Sequence, residues 1–186
     1  MANLRDVTAA ARRLGRLLER HELKIVLAES CTGGLISASL TTIPGISAYH
    51  CGSAVVYQVE TKAEWLGISP AVLEKPGPVS RVVATAMAEN VLRKTPKANL
   101  SAAVTGHLGP GAPKNQDGLI YAAVAMRGSG TTGKRQMKTV VKKHLLVDER
   151  TGARARRPEE IRLKRQRSAA LYVLSMASAQ IESQFQ

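Results

Sequence analysis

Aromatic side chains are almost missing from this chain: one Trp, one Phe and four Tyr in 186 residues. Such a chain has no series of rings on which single-stranded bases could stack, and its core must be built from Ala, Val, Leu and Ile. Cysteine is scarce too. Cys31 and Cys51 are the only two, so there is no disulfide framework. His50 stands beside Cys51, but no second pair at ligand spacing accompanies it and the other histidines are scattered. No metal and no cofactor are therefore expected. No apolar run approaches the roughly 18 residues of a membrane helix. The charged, Arg-rich first twenty residues do not read as a secretory signal. Their apolar spacing suits a structural first helix better than a transit peptide, and a cytoplasmic protein with no membrane partner is expected. Acidic residues are few, 14 Asp and Glu against 27 Lys and Arg, for a net charge of +13. Between residues 134 and 167 stand thirteen basic and four acidic side chains, so most of the excess lies in the C-terminal third. A field of that sign attracts phosphate, on a nucleotide or a nucleic acid; it is equally what a soluble surface carries.

What is present is a regular alternation of strand and helix signals. Leu4, Val7, Ala11, Leu14, Leu17 and Leu18 make one stripe at helical spacing, predicting a helix over 4–20. "LKIVLAE" reads as a buried strand, and "TGGLISASLTTI" as a helix start that Pro44-Gly45 ends. A strand over 52–58, a short helix in "TKAEWLGI" and a long helix over 80–95 with Ser80 as N-cap follow. Strands are expected in "ANLSAAVTG" and over 119–127, separated by a glycine- and proline-rich loop. Alternation at Met137, Thr139 and Val141 favours a further strand, and Pro158 opens a helix over 158–181 with acids before bases. The pattern predicts an α/β fold with a mostly parallel sheet, in one domain spanning 1–186 with its core over about 5–180. "GSGTTGKR" imitates a phosphate loop, but Arg135 stands where Ser or Thr is needed and a strand follows instead of a helix.

Three strand ends crowd small polar residues together. "AESCTGG" brings Ser30, Thr32, Gly33 and Gly34. "VVYQ" and the next helix bring Tyr57 and Lys62. "VTGHLGPG" brings Thr105, Gly106 and Gly109. In open α/β sheets, ligands bind outside the carboxyl ends of the strands. Glycines let backbone N–H groups approach a ligand, and a helix starting near Gly33 points its N-terminus at an anion. Each residue also has an ordinary reading. Ser30 or Thr32 could N-cap the following helix, Cys31 be a small buried hydrophobe, Lys62 a surface lysine, and Thr105-Gly106 a plain turn.

The stretches "LAESCTGGLISASLTTIPGIS", "VVYQVETKAEWLGIS", "GPVSRVVATAMAE" and "AVTGHLGPG", in that order, resemble the CinA C-terminal domain family over about residues 5–180. Its stand-alone form is nicotinamide mononucleotide deamidase. The resemblance implies a three-layer α/β/α fold, homo-oligomers, and a small nucleotide substrate whose carboxamide is hydrolysed to the carboxylate and ammonia. It implies Ser30, Thr32, Gly33, Gly34, Ser47, Tyr57, Lys62, Thr105 and Gly106 as functional positions, with Arg157 facing a phosphate. A Ser with a Lys can replace Ser–His when burial lets the Lys lose its proton. The expected scheme has Ser30 as nucleophile, Lys62 as general base, Tyr57 as proton relay, and N–H groups near Gly33 or Gly106 as oxyanion hole. Ser47 is the rival nucleophile. The third loop departs from the family pattern: His107-Leu108 replaces a small pair, and Asp117-Gly118-Leu119 replaces Pro-Val-Gly. A catalytically silent relative that binds a nucleotide, or binds nucleic acid through its basic C-terminal third, is the alternative.

Overall fold

The computed structural model describes residues 2–113, 115–128, 136–146 and 157–185. Parts of the basic stretch (134–135 and 147–156) and most of the phosphate-loop mimic lie outside the described residues. The chain runs α1 (Leu4–Arg20), β1 (Ile25–Glu29), α2 (Leu35–Thr41), β2 (His50–Val55), α3 (Val59–Leu66), α4 (Pro70–Glu74), α5 (Arg81–Lys94), β3 (Leu100–Gly106), β4 (Leu119–Arg127), β5 (Met137–Leu145) and α6 (Pro158–Gln184), with a 3-10 turn at Ile46–Ala48 before β2.

Local chemistry sets the ends of these elements. Asn3 and Asp6 form a reciprocal capping box on α1, Asn3 Oδ1 accepting from the Asp6 N–H at 3.0 Å and Asp6 Oδ2 from the Asn3 N–H at 2.8 Å. Val7, Ala11, Leu14 and Leu18 form its fully buried stripe, while Leu4 remains exposed. Ser80 caps α5 by accepting from the Val83 N–H at 3.3 Å. Residues Met137–Leu145 form a strand, β5, as their alternation requires.

The strands form one sheet in the order β2-β1-β3-β4-β5. β1 runs parallel to both β2 and β3, whereas β3–β4 and β4–β5 are antiparallel. The parallel expectation thus holds for the first three strands, and the sheet as a whole is mixed. The cause is visible in the chain. Parallel neighbours need a crossover of a dozen or more residues, usually a helix, and 107–118 holds glycine and proline instead.

The alternating residues of the strands face two helical layers. Ile25, Leu27, Leu100, Ala102 and Val104 pack under α1, α2 and α6. Val26, Ala28, Ala103, Ala123 and Ala125 pack under α3, α4 and α5. The second face is largely alanine, so α5 can lie close on the sheet. Each fully buried Leu or Val stabilises the fold by about 1.5–3 kcal/mol, and in this chain aliphatic side chains supply that in place of aromatics.

Candidate functional site

β1, β2 and β3 end at one level: Glu29 is paired with Val55 on one side and with Val104 on the other. The turns beyond them meet over a cavity of about 310 Å³, a size that suits a small ligand. Its lining includes Ser30, Tyr57, Lys62, Thr105, Arg162 and the loop from Gly106 to Ala112.

Lys62 is the centre of the arrangement. It is 2% exposed, although α3 is a surface helix. Its Nζ lies 3.1 Å from Ser30 Oγ, 2.8 Å from the Val56 carbonyl and 3.2 Å from that of Tyr57. Burial pushes its pKa below the ordinary lysine range. A neutral amine has two N–H groups and one lone pair. A third carbonyl, that of Gln58, lies further off at 3.5 Å; the two nearer ones can take the N–H groups, which leaves the lone pair for the Ser30 hydroxyl. Ser30 itself is held by its N–H to the Val104 carbonyl at 3.1 Å and by its carbonyl, which accepts from the Gly33 N–H at 3.0 Å.

The other sequence-predicted residues divide. Thr105 lines the cavity and its hydroxyl donates to the Pro78 carbonyl at 2.8 Å, tying the end of β3 to the connection before α5. Gly106 and Gly109 line the cavity as well. At Gly109 φ is +59°, and an added Cβ would collide with Asp117 and Arg165, so only glycine fits. Tyr57 is at the mouth, 55% exposed. Its carbonyl, not its hydroxyl, meets Lys62; the hydroxyl accepts from Arg162 Nη2 at 2.9 Å. His107 also lines the cavity, as its place in the third loop implies.

Thr32, Gly33 and Gly34 are not among the lining residues. Thr32 is buried with its hydroxyl donating to Glu29 Oε2 at 2.8 Å, and Gln166 holds its carbonyl at 2.8 Å. Gly33 and Gly34 have φ of +62° and +95°, and serve the turn through left-handed backbone. Gly33 spends its N–H on Ser30, so it offers none to a ligand. Cys31, next to Ser30, also lines the cavity. Cys31 itself is buried, and burial pushes its thiol up to about 12, so it is a neutral thiol beside the serine.

Two expectations are corrected. Ser47 sits in the turn before β2, exposed, and His50 at the start of that strand pairs with Ile25, at the opposite end of β1 from Ser30. Within this chain Ser47 is therefore remote from the cavity. Arg157 is exposed at the N-terminus of α6 and pairs with Glu160 at 3.2 Å. Arg162, one and a half turns later, is the basic residue at the cavity, donating to the Gly109 carbonyl at 2.8 Å as well as to Tyr57. A signal existed in the sequence. Arg162, Arg165 and Gln166 continue the stripe of buried Ala169, Ala170 and Val173 toward the helix start, which turns polar side chains inward. Arg165 reaches Asp117 through both carboxylate oxygens at 2.7 and 2.9 Å, and so anchors the third loop to α6.

Among the described residues, no three of His, Cys, Asp and Glu gather closely enough to hold a metal ion, and no helix is long and apolar enough to cross a membrane.

These features define a three-layer α/β domain with a buried Ser–Lys pair at the carboxyl ends of its parallel strands. The model of the CinA C-terminal domain matches residues 7–152, and the chain belongs to that family. It is 37% identical over 156 residues to a putative competence-damage inducible protein of Clostridioides difficile, covering 83% of this chain and 35% of the relative. It is 42% identical over 120 residues to a CinA-like protein of Myxococcus xanthus, covering 63% of this chain and 28% of the relative. The chain thus spans about a third of the length of such curated relatives. The solved structure of the competence/damage inducible protein CihA from Agrobacterium tumefaciens matches with a TM-score of 0.73 at 31% identity, over 91% of this chain and 94% of that one. A competence damage-inducible protein A from Klebsiella pneumoniae shares the fold, with a TM-score of 0.78 at 21% identity over 93% and 95% of the two chains.

Proposed function

We propose that the cavity hydrolyses the carboxamide of a pyridine mononucleotide such as nicotinamide mononucleotide, releasing ammonia, with Ser30 as nucleophile and Lys62 as general base. The observation that carries this reading is the buried Lys62 amine 3.1 Å from Ser30 Oγ, with two carbonyls to orient it. An amine at this distance can take the serine proton, and burial lowers its pKa in the direction that task requires.

The steps follow from the groups present. Neutral Lys62 takes the Ser30 proton as Oγ forms a bond to the carboxamide carbon, and the carbonyl π electrons move to oxygen. The Cys31 N–H, on the residue after the nucleophile in a turn that lines the cavity, is the donor assigned to that oxyanion. The C–N bond then breaks, the Lys62 ammonium returns its proton to the departing nitrogen, and ammonia leaves. Water attacks the resulting ester, giving its proton to Lys62 and then to Ser30 as the acid is released. Arg162 provides a fixed positive charge at the mouth, where the nucleotide phosphate emerges. Tyr57, whose hydroxyl partners Arg162, belongs to that binding end and not to a proton relay between Ser30 and Lys62.

The test is ammonia release from nicotinamide mononucleotide by the purified chain, with Lys62→Met alongside. Release that the substitution abolishes supports the reading. No release from a folded chain that nonetheless gains thermal stability from the nucleotide points to the silent nucleotide binder.

A further inference from the structure

The motif that supplies Ser30 also holds a charged residue that is not among those lining the cavity. Glu29 is 0% exposed, at the end of a strand otherwise wholly apolar. The nucleophile reading makes no use of it, and an unpaired carboxylate in such a place is costly. Its partners explain how it is tolerated. Oε2 accepts from the Thr32 hydroxyl at 2.8 Å and from the Ile36 N–H at 3.0 Å. Oε1 accepts from the Ser37 N–H at 2.9 Å and from the Ser53 hydroxyl at 3.2 Å.

Ile36 and Ser37 are the second and third residues of α2, whose N-cap, Gly34, has no side chain with which to cap it. Glu29 does the capping from across the turn. It satisfies two of the N–H groups a helix start leaves open, and its charge lies at the positive end of the helix. The segment between, Ser30 to Gly34, is thereby closed into a short loop. One end is the strand that carries Glu29, the other is the helix start that Glu29 holds, and the Thr32 hydroxyl pins the middle. Ser30 and Cys31 line the cavity from this loop.

We propose that Glu29 is a positioning residue for Ser30: its carboxylate sets the shape of the turn that aims the serine at Lys62 and the Cys31 N–H at the oxyanion. The proposal rests on Ser30 being the nucleophile. Geometry held to within about half an ångström separates a productive nucleophile from a slow one. Glu29 therefore acts on the chemical step and leaves substrate affinity nearly alone. Glutamine has the same shape, but its amide would turn two N–H groups toward donors, so it cannot hold both halves of the loop.

The experiment compares Glu29→Gln, Thr32→Val and Thr32→Ser with the wild-type chain. It reads kcat and KM on nicotinamide mononucleotide, the rate at which a fluorophosphonate reagent labels Ser30, by mass, and the melting temperature. In labelling, Oγ–P forms, P–F breaks, Lys62 accepts the proton and fluoride leaves, so the readout needs no natural substrate. Glu29→Gln is expected to lower kcat and the labelling rate about 100-fold with KM within about 3-fold. Thr32→Val is expected to lose about 10-fold in both, and Thr32→Ser, which keeps the hydroxyl, to recover most of it. Asn3→Ala, which removes the distant cap of α1, supplies the comparison of a lowered melting temperature with unchanged kcat and labelling. Should Glu29→Gln fail to fold, the Thr32 pair decides. Wild-type labelling rates in both Glu29→Gln and Thr32→Val overturn the proposal alone. A folded wild-type chain that neither releases ammonia nor labels at Ser30 overturns the nucleophile reading and this proposal with it.

Discussion

The two halves of the sheet are built from the same aliphatic residues and do different things. The parallel half, β2-β1-β3, brings three strand ends to one level, and each ends in a turn with a polar side chain aimed at the same cavity. The antiparallel half, β4-β5, alternates direction, so adjacent strand ends point opposite ways and no such convergence arises. Its contribution is closure. β4 is buried almost throughout, while β5 is an edge strand with Lys138, Lys142 and Lys143 exposed. Positive charge on an edge discourages pairing with another chain. The difference teaches that parallel pairing concentrates chemistry at one end of a sheet, and antiparallel pairing spreads it out.

The sharpest way to break this comparison is at the Ser–Lys pair. Ser30→Ala is expected to lower kcat by about 10⁴-fold or more with the melting curve little changed. Lys62→Arg is expected to lose nearly as much at every pH, because guanidinium cannot give up its proton. In the wild-type chain the rate should rise with pH through the depressed Lys62 pKa, since the neutral amine is the active form. The linked stability has the same sign. Where the unfolded Lys is still protonated and the folded one is not, the unfolded chain binds more protons, so stability climbs with pH across that window. An activity that is flat in pH across the same range would remove Lys62 as the base.

Next in size is the contrast between the two cysteines. With the Cys31 thiol raised to about 12 and buried, and Cys51 exposed, iodoacetamide at pH 8 should alkylate Cys51 on the order of 10³-fold faster. Intact mass should show a single adduct with ammonia release unimpaired. Arg162→Ala should raise KM about 10- to 100-fold while kcat falls less, the loss of one charge-assisted contact. Arg157→Ala should change neither, and an equal effect from both would return the phosphate role to the helix start. Asn3→Ala should cost about 1 kcal/mol, a drop of about 2–4 °C in Tm, by removing the capping box. The smallest effect is expected from the antiparallel edge. Replacing Lys138, Lys142 and Lys143 by Gln should leave kcat/KM within about 2-fold at 0.15 M salt, where exposed charges are screened beyond about 8 Å. A large loss would mean that β5 takes part in binding after all.

Much of the fold is legible in the residues alone. The α1 stripe, the Ser80 cap, β4 from Leu119 to Arg127 and the strand character of β5 all rest on periodicity or caps within a few residues. The mostly parallel reading leaves room for one reversed strand, β4, whose direction follows from the helix-free connection after β3. At the site, Ser30, Lys62, Thr105, Gly106 and Gly109 meet as their strand-end positions imply. Arg157 is the basic residue to which the family resemblance points, whereas Arg162, on the inward stripe, is the one that lines the cavity. Glu29 stands in the same motif, but its spacing does not show that it caps the helix start at Ile36 and Ser37.

What the sequence by itself determined is local: where helices and strands run, which faces are apolar, and that three turns are rich in small polar residues. Those properties depend on spacing over four to seven residues, and the chain carries them wherever it is placed. The tertiary structure alone decided which turns share a cavity. It put Lys62 against a serine 32 residues away, Arg162 against Tyr57 105 residues away, and Ser47 at the far end of the sheet. Sheet order and helix crossing set those distances, and they are fixed only when both faces of the sheet have been covered. The burial that results then depresses the Lys62 pKa and turns Glu29 into a helix cap, since a group out of reach of water must take its hydrogen bonds from the protein.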